Sequence, residues 1–143
     1  MTLIRFPWPN PKLSSNSRTD RRFLTADRQQ ARDTGYWITK DAGLRFPEGS
    51  LLELTIVISP PDRRHRDDDN ILTAFKSYRD GIFKALELDD SAVRRTVIEW
   101  YTPRTKSGIH TPEKGGALYV NLKEYQEKEN YHDEIDKRQV GET

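Results

Sequence analysis

The chemistry in this chain is concentrated between Pro60 and Asp90, PPDRRHRDDDNILTAFKSYRDGIFKALELDD. Three consecutive aspartates, Asp67, Asp68 and Asp69, follow a basic run that contains Arg63, Arg64 and Arg66. A segment carrying Lys76 comes next, and a second acidic pair, Asp89 and Asp90, closes the stretch. Carboxylates at this density repel one another unless a positive charge sits among them. A hard divalent cation held by oxygen ligands meets that requirement. Cations flanking the carboxylates suggest that the other half of the site is a polyanion, and together these features predict a metal-dependent nuclease.

Position along the chain sharpens this expectation. In an extended approach to a helix, Asp67 and Asp69 point to one side and Asp68 to the other, so an Asp-x-Asp pair offers two carboxylates to one ion. Along the helix, Asp69, Thr73, Lys76 and Asp80 lie on one stripe, which brings Lys76 toward the same pocket. Asp89 and Asp90 follow where the chain turns back and complete a one- or two-metal site. A structural alternative stands beside this one: Asp69 or Asn70 caps the helix, the aspartates oppose its dipole, and Lys76 with Asp80 forms a surface pair. A calcium loop of the EF-hand type is excluded, because its glycine and closing glutamate are missing. His65 sits in the basic run and is expected to face solvent or phosphate, while His110 and His132 are isolated. No glycine-rich phosphate loop, nucleophile elbow or paired-histidine motif is present.

These groups need a scaffold. Leu3 to Phe6 predicts a short strand, and PWPNP (Pro7 to Pro11) forces an extended or turning segment. Ser14 to Arg22 reads as a polar, positively charged loop, with Arg18 among its candidate phosphate contacts. Thr25 caps an expected helix that runs from Arg28 to Tyr36 and ends at Gly35, and Tyr36 and Trp37 are expected in the core. Ser50 to Ser59 predicts a central strand with both faces largely apolar and covered. Asn70 to Leu88 predicts the main helix, with Ile71, Leu72, Phe75, Tyr78, Ile82, Phe83 and Leu86 on one stripe. Gly81 interrupts that pattern and suggests close packing against the sheet. Ala92 to Tyr101 and Ala117 to Leu122 predict two further strands, separated by a Pro- and Gly-rich loop from Thr102 to Gly116. The fold class expected is α+β, a small mixed β-sheet with helices packed on it. Residues 1–123 form the domain, and 124–143 a polar tail that is a short helix or disordered.

The chain of 143 residues suits one domain, with a hydrophobic fraction of 34% and a charged fraction of 33%. Its formal net charge of +1 says less than the segregation of its charges. With no cysteine, disulfide frameworks, thiolate zinc sites and cysteine nucleophiles are excluded. Nothing at the N-terminus reads as a signal peptide and no apolar run approaches membrane-spanning length, so a cytoplasmic location away from membranes is expected.

The chain resembles the RusA family of Holliday junction resolvases, metal-dependent endonucleases of phage and bacterial origin. The resemblance is carried by PWPNP with Asn16 and Arg18, by PPDRRHRDDDN, by the helix with Lys76, by LDDSAV and by GGALYVNL. It spans nearly the whole chain except the tail. Through it, Asp67, Asp69 and Asp90 match the three metal-binding aspartates, and Asn70 the asparagine after the motif. The functional lysine departs from the pattern: better-known members place it three residues after that asparagine, where this chain has Thr73, and Lys76 stands six after. The resemblance implies a homodimer that binds branched DNA and makes paired, symmetric nicks in a four-way junction. Mg²⁺, with Mn²⁺ as a substitute, would be held by Asp67, Asp69 and Asp90, and Lys76 would steady charge or orient water. Arg18, Arg63, Arg64 and Arg66, with Asn16 and Asn70, would contact DNA, and Asp68 would face away. Two competing readings are a non-catalytic junction-binding protein and a nuclease for flap or other branched DNA.

Overall fold

The computed structural model describes residues 2–15, 17–64, 66–101, 114–127 and 129–141. Asn16, His65 and His110, and most of the expected Thr102 to Gly116 loop, lie outside those residues. Within them the strands are β1 (Ile4–Pro7), β2 (Leu52–Ser59), β3 (Val93–Trp100) and β4 (Ala117–Glu124). The α-helices are α1 (Thr25–Ala42), α2 (Asp68–Leu86) and α3 (Glu129–Gln139). The sheet order is β1-β4-β2-β3. β1 and β2 flank β4 antiparallel, while β2 and β3 are parallel. The architecture is α+β with a mixed four-stranded sheet, and α2 makes the crossover that a parallel pair requires.

β2 is central, as its apolar run predicts, but its two faces differ. Leu52, Leu54, Ile56 and Ile58 are fully buried and meet Phe6, Phe75, Tyr78, Ile82, Leu118 and Val120 in one core. The opposite face carries Glu53, Thr55 and Val57, and Glu53 lies 4.0 Å from Arg95 and 3.8 Å from Lys123 across the neighbouring strands. Leu51, expected inside, is 49% exposed and precedes the strand. The second face is therefore covered as expected, with Thr55 buried and the Glu53 side chain 12% exposed, but it is largely polar where an apolar one was expected.

The apolar stripe of α2 is buried as expected, apart from the half-buried Leu72, with Phe6, Phe75 and Tyr78 forming an aromatic cluster at centroid distances of 5.4–6.5 Å. Tyr78 donates its hydroxyl to the Pro7 carbonyl at 3.0 Å, which ties α2 to the end of β1. Burial raises the Tyr78 pKa, so the hydroxyl stays a donor across the ordinary pH range.

α1 departs most from expectation. It does not stop at Gly35 but continues to Ala42 and ends at Gly43, whose left-handed backbone (φ 71°) closes the last turn. Gly35 is retained inside the helix for packing: a Cβ there would lie 2.4 Å from the Tyr78 carbonyl oxygen of α2. The relation is reciprocal, because a Cβ on Gly81 of α2 would lie 2.0 Å from the Arg32 carbonyl oxygen of α1. Gly81 thus packs against a helix and not, as its position suggested, against the sheet. Trp37 is 60% exposed and stacks edge-on with Tyr36 at 5.0 Å, so the core role expected for it is also corrected. The tail contains α3, and Tyr125 at its approach donates its amide to the Leu51 carbonyl at 2.8 Å.

Gly81→Ala is expected to destabilise the protein by about 2 kcal/mol, because backbone overpacking outweighs the roughly 1 kcal/mol gain in helix propensity. Urea unfolding followed by circular dichroism checks this, and a neutral or stabilising substitution would rule out the close crossing.

Candidate active site

β2 delivers the chain to Pro60 and Pro61, which cannot extend the ladder, and a tight turn follows. Asp62 organises that turn. Its carboxylate accepts the Arg64 amide at 2.8 Å and both terminal nitrogens of Arg66 at 2.8 and 2.9 Å. Arg66 also donates to the Arg64 carbonyl at 3.2 Å and stands over the Trp8 ring at 5.4 Å. Its side chain is only 13% exposed. A bidentate pair stacked on an aromatic face is a strong, directional clasp. Arg66, expected to bind DNA, therefore holds the turn, whereas Arg63 and Arg64 are exposed.

The clasp presents the aspartates. Asp67 is the N-cap of α2 with extended backbone (φ −90°, ψ 143°), and Asp68 and Asp69 already occupy its first turn. The alternating extended approach is thus replaced by a helical one. Helical residues step by about 100°, so Asp68 does not face away but takes a hydrogen bond from the Trp100 indole at 2.6 Å. Asp67 makes no side-chain hydrogen bond to the helix amides. Capping, the structural alternative for the aspartates, does not account for this one. All three carboxylates are exposed and line one open depression of about 700 Å³ with Asp62, Arg63, Arg64, Arg66 and Trp100. The positive end of the α2 dipole favours negative charge there, and the neighbouring guanidiniums offset the mutual repulsion.

A second depression of about 430 Å³ adjoins the first, sharing Arg64, Arg66 and Asp67 and adding Trp8, Ser14, Ser17 and Asn70. Asn70 accepts a hydrogen bond from Ser15, which docks the proline-rich segment onto α2. Arg18 is exposed between Ser17 and Thr19.

Two residues expected at the carboxylates are elsewhere. Lys76 stands seven residues beyond Asp69, about 10 Å along the helix axis. It lines a different cleft, with Thr73, Asp80, Arg28 and Arg32. Asp80 faces Arg32 at 3.8 Å and does not pair with Lys76. Asp90 opens a short 3-10 turn, Asp90–Ala92, beyond the far end of α2. The Arg79 side chain donates to the Asp90 carbonyl at 3.2 Å, and its Nε lies 3.9 Å from the Asp90 carboxylate. That Nε is buried without a hydrogen bond among the described residues, so the carboxylate supplies its nearest compensating charge. Asp89 caps the same turn by accepting the Ser91 amide at 2.8 Å, and this bond holds its carboxyl below the usual range. Among the described residues, no three His, Cys, Asp or Glu side chains are grouped closely enough to hold one ion.

The carboxylates present still fit a hard cation of one kind. Mg²⁺ keeps several waters and is commonly bound through one or two carboxylates plus substrate phosphates. Asp67 and Asp69 each offer the depression a carboxylate of that kind, Asp68 being engaged by Trp100. Sequence reasoning missed Asp62, Trp8 and Trp100. The Asp62–Arg66 spacing was a readable signal, whereas Trp100 reaches Asp68 only because β3 pairs with β2 in a register that sets it opposite Ile58.

No family model matches the chain. A protein from Xylella fastidiosa (strain Temecula1 / ATCC 700964), described as uncharacterized, is 40% identical over 93 residues, which cover 63% of this chain and 61% of that protein. The matched region thus spans less than two thirds of the relative. No helix among the described residues is long and apolar enough to cross a membrane.

The clasp has a pH signature. Hydrogen bonds from Arg66, then from the Arg64 amide, lower the Asp62 pKa to about 2. Because the folded value lies below the ordinary one, the clasp is complete at neutral pH and is lost only as pH falls through about 2. Carboxyl NMR titration should find that midpoint, and Arg66→Gln should move it up toward the ordinary value of 3.8. An ordinary midpoint in the unsubstituted protein would rule the clasp out.

Proposed function

We propose that this chain is a Mg²⁺-dependent, structure-selective DNA endonuclease of the RusA type, which resolves four-way junctions by paired symmetric nicks as a homodimer. The observation that carries the reading is the open depression at the start of α2, lined by three exposed carboxylates and by Arg63 and Arg64. Such a mixture suits a phosphodiester and a cation together, and it suits an apolar or neutral ligand poorly.

In this reading Asp67 and Asp69 hold the cation. When bound, it would supply Lewis-acid stabilisation of charge on the phosphate and would make water a better nucleophile near neutral pH. The chain's own groups do the rest. Arg63 and Arg64 hold the phosphate backbone beside the carboxylates, giving salt-dependent affinity with little base information. Trp100 fixes Asp68, which keeps the carboxylate ahead of Asp69 from swinging freely. Arg66 orients Arg64 and Asp67 through the Asp62 turn. Asp90, the third aspartate of the resemblance, stands with Arg79 at the far end of α2, so uniting it with the other two takes a rearrangement or a second chain.

The positions of Lys76 and Asp90, both away from the aspartate triplet, favour the second reading, a junction-binding protein without turnover. Cleavage of a synthetic four-way junction, beside flap and plain duplex DNA, in Mg²⁺ and in chelator decides between them. Paired nicks confined to the junction and dependent on Mg²⁺ are expected. Asp67→Asn or Asp69→Asn should lower the cleavage rate by roughly 100-fold or more, the scale on which loss of one charge-stabilising group acts. Junction affinity in chelator should hold or rise, since a negative charge is removed. Tight binding with no cleavage in Mg²⁺ or Mn²⁺ would reject the enzyme, and equal cleavage of flaps would reject junction selectivity.

A further inference from the structure

A polar cleft of about 590 Å³ lies between helices α1 and α2 and the segment that contributes Lys12, Leu13, Ser14, Ser15, Ser17 and Thr19. Its cations come from three elements: Lys12 after the proline-rich segment, Arg28 and Arg32 on α1, and Lys76 on α2. Thr19 and Thr73 line the same space, the Thr73 hydroxyl donating to the Asp69 carbonyl at 2.9 Å. Asp80 is the one acid lining it among the described residues, and Arg32 opposes it at 3.8 Å. Lys12, Arg28 and Lys76 make no ion pair with any described residue. Arg28 and Arg32 also stand four apart on α1, where like charges share a face and destabilise the helix. An excess of cations gathered from three elements and interleaved with hydroxyls is the chemistry that receives phosphodiester oxygens.

The cleft is continuous with the candidate active site. It shares Ser14 and Ser17 with the depression containing Trp8 and Asn70, which in turn shares Arg64, Arg66 and Asp67 with the aspartate depression. From Asp67 to Asp80 the track follows α2 for about 20 Å, the length of roughly six nucleotides at ~3.4 Å each.

We propose that this cleft is a backbone groove for a nucleic-acid strand leading away from the aspartates, with Lys12, Arg28 and Lys76 binding phosphates. Lys76 then acts in binding, about two helical turns from Asp69, and not at the reacting phosphate. The inference rests on nucleic acid being the substrate but not on turnover, so it is tested without metal.

Fluorescence anisotropy of the full chain with a labelled four-way junction in chelator, from 50 to 200 mM salt, reads the groove. Removing one cation that binds a phosphate should reduce the slope of log affinity against log salt by about 1. Lys12→Gln with Lys76→Gln should therefore flatten it by about 2, making the fall in affinity over that range roughly tenfold smaller. Arg28→Gln alone should flatten it by about 1, and Arg138→Gln on α3 should leave it unchanged. Thermal melts show that each variant folds, and the single Arg28 variant serves if the double one does not. An unchanged slope in the cleft variants would overturn the groove, as would binding of poly-glutamate as tight as that of the junction. Mg²⁺-dependent cleavage with an unchanged slope sinks the groove alone, whereas flattened slopes without any cleavage sink the nuclease reading alone.

Discussion

The crossing of α1 over α2 is the interaction on which the rest of the structure depends. Two glycines, Gly35 and Gly81, remove the side chains at that crossing, and each faces backbone of the other helix. Helix axes that approach this closely have little freedom to slide or rotate. The direction of α2 is thereby set against β2 and the aromatic cluster around Phe6 and Tyr78. The position of Asp67 to Asp69 at one end of α2, and of Asp90 beyond the other, follows from that direction. The same crossing forms one wall of the cleft that holds Arg28, Arg32 and Lys76.

Around this frame the charges divide into those used up internally and those left for a ligand. Asp62 and Arg66 satisfy each other and stack on Trp8. Asp90 accompanies Arg79, Asp89 caps its own turn, and Glu53 lies between Arg95 and Lys123. Such pairs contribute little to stability where they are exposed, but they fix where the remaining charges stand. Asp69, Arg64, Lys12, Arg28 and Lys76 are not consumed this way. They line depressions joined through shared residues, carboxylates in the first and an excess of cations in the last, an arrangement that suits an extended polyanion held partly through a cation.

Much of the fold was legible in the sequence. The stripe from Ile71 to Leu86 marks α2, and alternation along Leu52 to Ile58 marks the core face of β2, because burial imposes helical and strand periods directly on residue type. α1 was less legible: its apolar face is thin, and Gly35 reads locally as a stop. The glycine serves a neighbour 43 positions away in the chain, and no local rule records that. Trp37 misled in the opposite sense, since an aromatic side chain suggests burial although its face of α1 turns outward.

The candidate site divides along the same line. The sequence by itself determined that acids and bases concentrate between Pro60 and Asp90, that a turn precedes the main helix, and that the aspartates stand at its start. Adjacency in the chain guarantees adjacency in space over those few residues. Only the tertiary structure decided that Trp100 holds Asp68, that Arg66 is consumed by Asp62 and Trp8, and that Lys76 and Asp90 stand apart from the triplet. The physical reason is distance along a rigid element. A helix of 19 residues separates its ends by nearly 30 Å, and only strand register and helix crossing determine which distant side chains close that gap.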